Sequence, residues 1–348
     1  MKNKKKILIS IVVVIILLVI GMVFFYQNGI SSVSSKSEDV IVRIEKGSSP
    51  RQILNTLDEA GLVKNKLCGQ IFLKFNSYDN LQANSYVLNK NMSLSKMYEI
   101  MQGKEYKYIL RSELTIKDAN TIPEVADAFA DILDISSEEV IKQWADEKYL
   151  KELIDEYWFI DESILNKDIL YPLEGYLYPE TYYVTDENPT VQSMTKFALD
   201  MMDQKLTPLK SKIEELNWTP HQFLTFVSIV ERESGKNLDD KNMIAGVFMN
   251  RLNQNMLLQS DITVNYAWQR TGVDVSVSHL QIDSQYNTYK YTGLPVGPIS
   301  TVLEDTMKRC LDYKHHNYLY FFADENGKVI YSKTYKEHQN VVKENKWY

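Results

Sequence analysis

A helix carrying carboxyl groups is the part of this sequence best suited to chemistry. Phe223 to Ser234 reads Phe-Leu-Thr-Phe-Val-Ser-Ile-Val-Glu-Arg-Glu-Ser, and its spacing sets Phe223, Leu224, Phe226, Val227 and Val230 on one side. Glu231 falls at the border of that apolar face. Such surroundings disfavour a charged carboxylate and lift its pKa toward what a general acid needs near neutral pH. Glu233 is two residues on, about 200° further round, so the two carboxyls do not share a face. Phase therefore favours Glu231 as the proton donor. A capping or salt-bridged glutamate is the competing reading of the same residue.

Polar segments downstream could close a groove around this helix. A second amphipathic helix is expected over Asn242 to Asn253, burying Met243, Ile244, Val247, Phe248 and Leu252. Gln259, Ser260 and Asp261 then stand between apolar Leu258 and Ile262, where an exposed loop would also explain them. Asn287 lies between tyrosines, and its amide donates and accepts at once, as an N-acetyl partner requires. A turn-forming asparagine is the alternative. Upstream, residues 172–184 gather Tyr176, Tyr178, Tyr182 and Tyr183 with Glu174 and Glu180. Tyrosine rings suit the apolar faces and hydroxyl rims of sugars, and they equally fill cores. Glu174 reads either as a sugar contact or as a buried acceptor of backbone hydrogen bonds.

The segments SIVERES (Ser228 to Ser234), NRL (Asn250 to Leu252), LQSDITV (Leu258 to Val264), YNTY (Tyr286 to Tyr289) and GLPVGPI (Gly293 to Ile299) occur in that order. Together they resemble the endolytic murein transglycosylase family, membrane-anchored enzymes that cut the glycan strands of the bacterial cell wall. Leu173 to Tyr182 and Tyr318 to Phe322 match the same family, so the resemblance covers most of the chain. It implies cleavage of the MurNAc–GlcNAc bond within peptidoglycan strands, without water, leaving 1,6-anhydroMurNAc ends. Glu231 would serve as acid and then base, and no cofactor or metal is implied. The resemblance places Gln259, Ser260, Asp261 and Asn287 in the groove wall, with Tyr178 and Glu174 as further sugar contacts. Two rivals stay open. One is a hydrolytic muramidase pairing Glu231 with Asp261 or Glu174; the other is a wall-binding scaffold of the synthesis machinery. The sequence departs from the family pattern at Lys117-Asp118-Ala119, at Ile262, and over residues 300–316, where an altered groove rim is expected.

The elements that must hold these residues begin with an apolar run. Met1 to Lys6 carries four lysines, and Ile7 to Tyr26 is then apolar but for Ser10 and Gly21. A run of that length spans about 30 Å as a helix, the thickness of a bilayer's hydrocarbon. With no small-residue cleavage pattern after it, it reads as an uncleaved anchor whose lysine-rich end stays in the cytoplasm. Gln27 to Glu38, with five serines, reads as a tether. Alternation over Asp39 to Glu45, helices from Ser49 and from Lys64, and a strand over Asn84 to Leu88 resemble a small LysM-like module at 39–110. A docking domain without glycan affinity is the alternative. A larger mixed α/β catalytic domain is expected over 111–348, making the whole an α+β protein. Its first helices are expected over Ile122 to Leu133, Ser137 to Glu147 and Lys151 to Tyr157.

Composition removes other classes. The 348 residues hold 46 Asp and Glu against 39 Lys and Arg, a net charge of −7, which argues against nucleic acid as a partner. The resemblance implies peptidoglycan strands as the substrate, and the anchor implies the membrane and proteins of wall synthesis as partners. The histidines form no His-Glu-x-x-His pattern, and neither a Gly-x-Ser-x-Gly elbow nor a phosphate loop is present. Cys68 and Cys310 make no disulfide framework and read as buried small apolar residues.

Overall fold

Local signals written into the chain set most helix starts. In the structure, a computed structural model, residues 2–234, 238–270 and 277–345 are described. The chain divides into two units, one of residues 1–113 with 183–188, the other of 114–182 with 189–348.

In the first unit, helix α1 (Lys2–Ile30) contains the apolar run, and Lys6–Ile30 is long and apolar enough to cross a membrane. Its last turn departs from a simple span. Tyr26 and Ile30 pack on the core of the unit, and a Cβ at Gly29 would come within 2.4 Å of Cys68 Sγ. Lys64 Nζ donates to Asn28 Oδ1 at 2.8 Å. Residues 31–38 then stay on the unit's surface, with the Ser34 N–H on the Lys90 carbonyl and the Glu38 N–H on Asn89 Oδ1. Strand β1 (Asp39–Arg43) pairs antiparallel with β2 (Ser85–Asn89), Ile41 opposite Val87. Between them lie α2 (Pro50–Glu59) and α3 (Lys66–Phe75), and α4 (Leu94–Glu99) follows. A reciprocal cap starts α2: Gln52 Oε1 accepts the Ser49 N–H at 2.8 Å, while Ser49 Oγ accepts the Gln52 N–H. That start sends Ile53, Leu54 and Leu57 inward against Val42, Leu88 and Phe72. Both cysteines are free thiols and buried.

Strands β3 (Ser112–Thr115) and β4 (Thr181–Val184) stand where the chain passes from one unit to the other. The second unit opens with α5 (Ile122–Leu133), α6 (Ser137–Trp144) and α7 (Glu147–Glu156), started by Thr121, Ser136 and Asp146. Phe129 meets the Trp144 ring edge-on at 5.0 Å, and Trp144 Nε1 donates to Thr195 Oγ1 on α8 (Val191–Leu206). Short α9 (Lys210–Glu215) leads to α10 (Pro220–Ser234), α11 (Leu238–Asn253) and α12 (Asp261–Ala267). Helix α13 (Glu304–Leu311), the antiparallel hairpin β5 (Tyr320–Ala323) and β6 (Val329–Ser332), and α14 (Tyr335–Asn345) complete the unit.

Helix α10 is the centre of this unit. Every residue from Phe223 to Glu231 is buried, Thr225 and Ser228 included, because α11, α12 and α13 pack around it. Its polar side chains are satisfied within the packing: Thr225 Oγ1 donates to the His221 carbonyl, and Ser228 Oγ accepts the Ile299 N–H. A helix buried all round has no solvent face to read from periodicity. Segment 312–318 is laced to α11 instead of standing free. The Lys314 N–H donates to the Asn242 carbonyl, Asn250 Nδ2 donates to the carbonyls of His316 and Tyr318, and a Cβ at Gly246 would lie 2.3 Å from the Lys314 oxygen. Glycine is required there by that close approach.

Candidate active site

The two glutamates of α10 end in different surroundings. Glu231 is 4% exposed and its Oε1 lies 2.7 Å from Lys241 Nζ, while its Oε2 accepts the Leu303 N–H at 3.1 Å. Lys241 also donates to Thr306 Oγ1 at 2.6 Å. Both oxygens of this carboxylate are thus committed inside the protein, and Glu231 is not among the residues that line the cavity faced by Glu233. The sequence expects Glu231 as the proton donor; the structure shows its carboxylate ion-paired to Lys241 and bonded to the Leu303 N–H. The salt-bridged alternative describes the residue, and the departing segment 300–316 supplies two of the groups that hold the pair.

Glu233 faces a cavity of about 670 Å³. The walls come from α11 (Phe248, Arg251), the segment before α12 (Leu258, Gln259, Asp261), Tyr289, β5 (Tyr320, Phe321, Phe322) and α14 (Tyr335, His338). Ser260, the residue capping α12, turns its hydroxyl away from the helix and donates to Glu233 Oε1 at 2.5 Å. Burial pushes the Glu233 carboxyl up to about 7; the Ser260 hydrogen bond opposes the rise, neighbouring Asp261 adds to it, and Arg251 and Arg232 oppose it. A carboxyl that holds its proton close to neutral pH, opening on a cavity, suits general acid work.

The cavity is braced by groups that periodicity does not reveal. Arg251 donates to the carbonyls of Leu257, Leu258 and Leu319, so one guanidinium ties the α12 approach to the entry of β5. The same cation lies 4.9 Å from the centre of the Tyr320 ring, and His338 stacks on that tyrosine at 5.3 Å and 22°. Gln259 takes a left-handed backbone at φ 50° and gives its N–H to the Thr288 carbonyl; Ser260 gives its N–H to Thr288 Oγ1. Segments LQSDITV and YNTY are therefore locked together at Thr288. Asp261 accepts from the Tyr289 hydroxyl at 2.5 Å and stands at the start of α12, where the helix end favours a negative charge.

Of the expected site residues, Gln259 and Asp261 line the cavity with Glu233. Asn287 does not. It is fully buried, its Nδ2 donating to the carbonyls of Leu280 and Ile282 and its Oδ1 accepting the Tyr289 N–H, which is the turn-forming alternative. Tyr178 is also away from the cavity. Its ring lies under Lys205 Nζ at 5.7 Å, and its oxygen accepts the Glu304 N–H. Glu174 is 1% exposed and accepts the Ile122 N–H that starts α5 and the Tyr266 hydroxyl, each at 3.0 Å. Burial pushes its carboxyl up to about 8. Its bonds are those of the buried acceptor reading, and it is not among the residues lining the Glu233 cavity. Ser260 was expected in the groove wall, whereas Arg251, Tyr320 and His338 were not singled out as contacts by sequence reasoning. The motifs containing Arg251 and Tyr320 were the available signal.

The model of the YceG-like family matches residues 42–344. An endolytic murein transglycosylase of Streptococcus pneumoniae serotype 2 (strain D39) is 34% identical over 344 residues, covering 93% of this chain and 62% of the relative. One of Bacillus subtilis (strain 168) is 33% identical over 327 residues, covering 93% of this chain and 90% of that protein. The chain thus spans less than two thirds of the pneumococcal relative. The 2.6 Å crystal structure of the yceG-like protein lmo1499 from Listeria monocytogenes superposes with a TM-score of 0.64 at 33% identity, covering 88% of this chain and all of that one.

Proposed function

The chain belongs to the YceG-like family, and from that membership we propose that it is an endolytic murein transglycosylase with Glu233 as its general acid and base. The observation that carries the reading is the Glu233 carboxyl, held near a pKa of about 7 at the wall of an aromatic cavity. Protonated Glu233 gives its proton to the oxygen leaving MurNAc C1, and the bond from C1 to that oxygen breaks. The carboxylate then takes the proton of the muramoyl C6 hydroxyl as O6 bonds to C1. The products are a free GlcNAc 4-hydroxyl and a 1,6-anhydroMurNAc end, and Glu233 regains its proton without consuming water. Rings of Tyr289 and Tyr335 offer stacking surfaces for sugars. One carboxyl suffices for this chemistry.

Asp261 in the same cavity favours a second reading, hydrolysis, in which two carboxyls flank the bond. Mass spectrometry of products made from purified peptidoglycan in oxygen-labelled water separates the two. Unlabelled 1,6-anhydro ends support the transglycosylase, and labelled reducing ends replace it with a muramidase. Uncut glycan leaves only the scaffold.

We read Lys6 to Ile30 as an uncleaved anchor with its lysine-rich end in the cytoplasm and the rest outside. A removed signal sequence would take with it Tyr26, Gly29 and Ile30, which pack on the first unit. The β1–α2–α3–β2 order supports reading that unit as LysM-like. N-terminal sequencing of the mature protein and protease treatment of protoplasts test the topology. A mature terminus beyond Ile30, or protection from protease, would refute it.

A further inference from the structure

A second cavity in the same unit has a lining unlike that of the Glu233 cavity. It encloses about 680 Å³ and contains no carboxylate, lysine or arginine. His221 is its one titratable residue, and both ring nitrogens are used. Nε2 donates to the Val296 carbonyl at 2.8 Å, so Nδ1 accepts from the Tyr176 hydroxyl at 2.8 Å. The remaining polar groups are amides and hydroxyls around Trp218.

Several of these groups keep hydrogen-bonding capacity. Gln222 spends its Oε1 on the Thr219 N–H, starting α10, which leaves its two amide hydrogens. Asn166 spends its Oδ1 on the Asp168 N–H and likewise keeps its amide hydrogens. The Asn253 side chain and Trp218 Nε1 bond to no partner among the described residues. The Trp218 ring meets Phe226 edge-to-face at 5.2 Å, which fixes the indole while it still borders the cavity. An immobilised indole among amide donors, without charge, matches a neutral sugar carrying N-acetyl groups. An anionic ligand would find no cation here.

The two cavities share their framework. Gln222 and Thr225 of α10 line this one and Glu233 lines the other, about 16 Å along the helix from Gln222. In α11, Met249 and Asn253 face this cavity, whereas Phe248 and Arg251 face the other. The GLPVGPI segment, unused by the Glu233 cavity, contributes Leu294, Pro295 and Val296 here.

We propose that this cavity is a second saccharide site, holding an uncharged, N-acetylated stretch of the glycan strand away from the bond being cut. The proposal rests on the transglycosylase reading for the identity of the strand. It assigns Trp218 and Asn253 to strand binding and leaves Glu233 its chemistry.

The test uses the full chain in detergent, titrated calorimetrically with the tetramer of N-acetylglucosamine and assayed on isolated glycan strands. Trp218→Ala should weaken tetramer binding about tenfold and Asn253→Ala by about three- to tenfold, the loss of one hydrogen bond or stacking contact. On long strands both should raise KM and leave kcat unchanged. Asn253→Ala, at an exposed helix end, keeps the test valid if Trp218→Ala disturbs folding. Unchanged tetramer affinity in a folded Asn253 variant, or no binding by the wild type, overturns the proposal. Binding that is lost in both variants, with peptidoglycan left uncut by the wild type, upholds the saccharide site and defeats the transglycosylase reading.

Discussion

Glu231 and Lys241 form an ion pair at 2.7 Å with each side chain only 3% exposed. Two buried charges in contact are tolerable only as a pair, since either alone would carry an uncompensated desolvation cost. The pair joins α10 to α11, and Thr306 and the Leu303 N–H complete its hydrogen bonding. It fixes the end of α10, and with it the direction in which Glu233 leaves the helix.

The two glutamates should therefore fail in different ways. Glu231→Gln strands the Lys241 charge and should cost about 3–5 kcal/mol of stability. Glu233→Gln should melt like the wild type while glycan cleavage falls by about 10²–10⁴-fold. Thermal melts beside strand-cleavage assays check this. A Glu233 variant with full activity would remove that residue from the mechanism.

The pH dependence of kcat/KM should show one limb set by Glu233. Activity needs the protonated acid, so it should be level below pH about 7 and decline above it. Ser260→Ala removes a hydrogen bond that favours the carboxylate and should move the limb to higher pH. Asp261→Asn removes a neighbouring negative charge and should move it lower. A limb that stays in place in both variants would belong to another group.

Glu174 should leave a mark on stability instead. Its folded carboxyl holds a proton up to about pH 8, whereas the same group in the unfolded chain releases it near its ordinary value of 4.5. The folded state thus binds the extra proton between those limits, and stability is fully present below the lower one and lost as pH rises through the upper. Glu174→Gln keeps the acceptor for Ile122 and Tyr266 and should flatten that decline. Urea midpoints across the interval decide it.

Asp261 and Asn287 should separate as well. Asn287→Ala frees the carbonyls of Leu280 and Ile282 and the Tyr289 N–H, so the loss should appear as a lower melting temperature. Asp261→Ala should leave the melt nearly unchanged and weaken cleavage. A normal melt with raised KM in the Asn287 variant would return that amide to the groove.

Much of the architecture is written locally. Serine and threonine caps start α2, α5 and α6 where the sequence places them, because a cap satisfies backbone groups within a few residues of itself. The apolar run that becomes α1, the β1 and β2 strands and the helix bearing the two glutamates are legible for the same reason. The loop reading of Asp261 and its neighbours gave way to the short helix α12, whose start is fixed by Thr288 from the YNTY segment. The choice between Glu231 and Glu233 was not local either. Phase distinguishes inside from outside only when a helix has an outside, and α10 is buried on nearly every side. There the deciding facts are which carboxyl meets Lys241 and which meets Ser260, contacts made by residues that reach α10 only once α11 and α12 have packed around it. Asn287, Tyr178 and Glu174 follow the same rule: their residue types admit both sugar contact and core satisfaction, and only the tertiary packing shows that all three are buried.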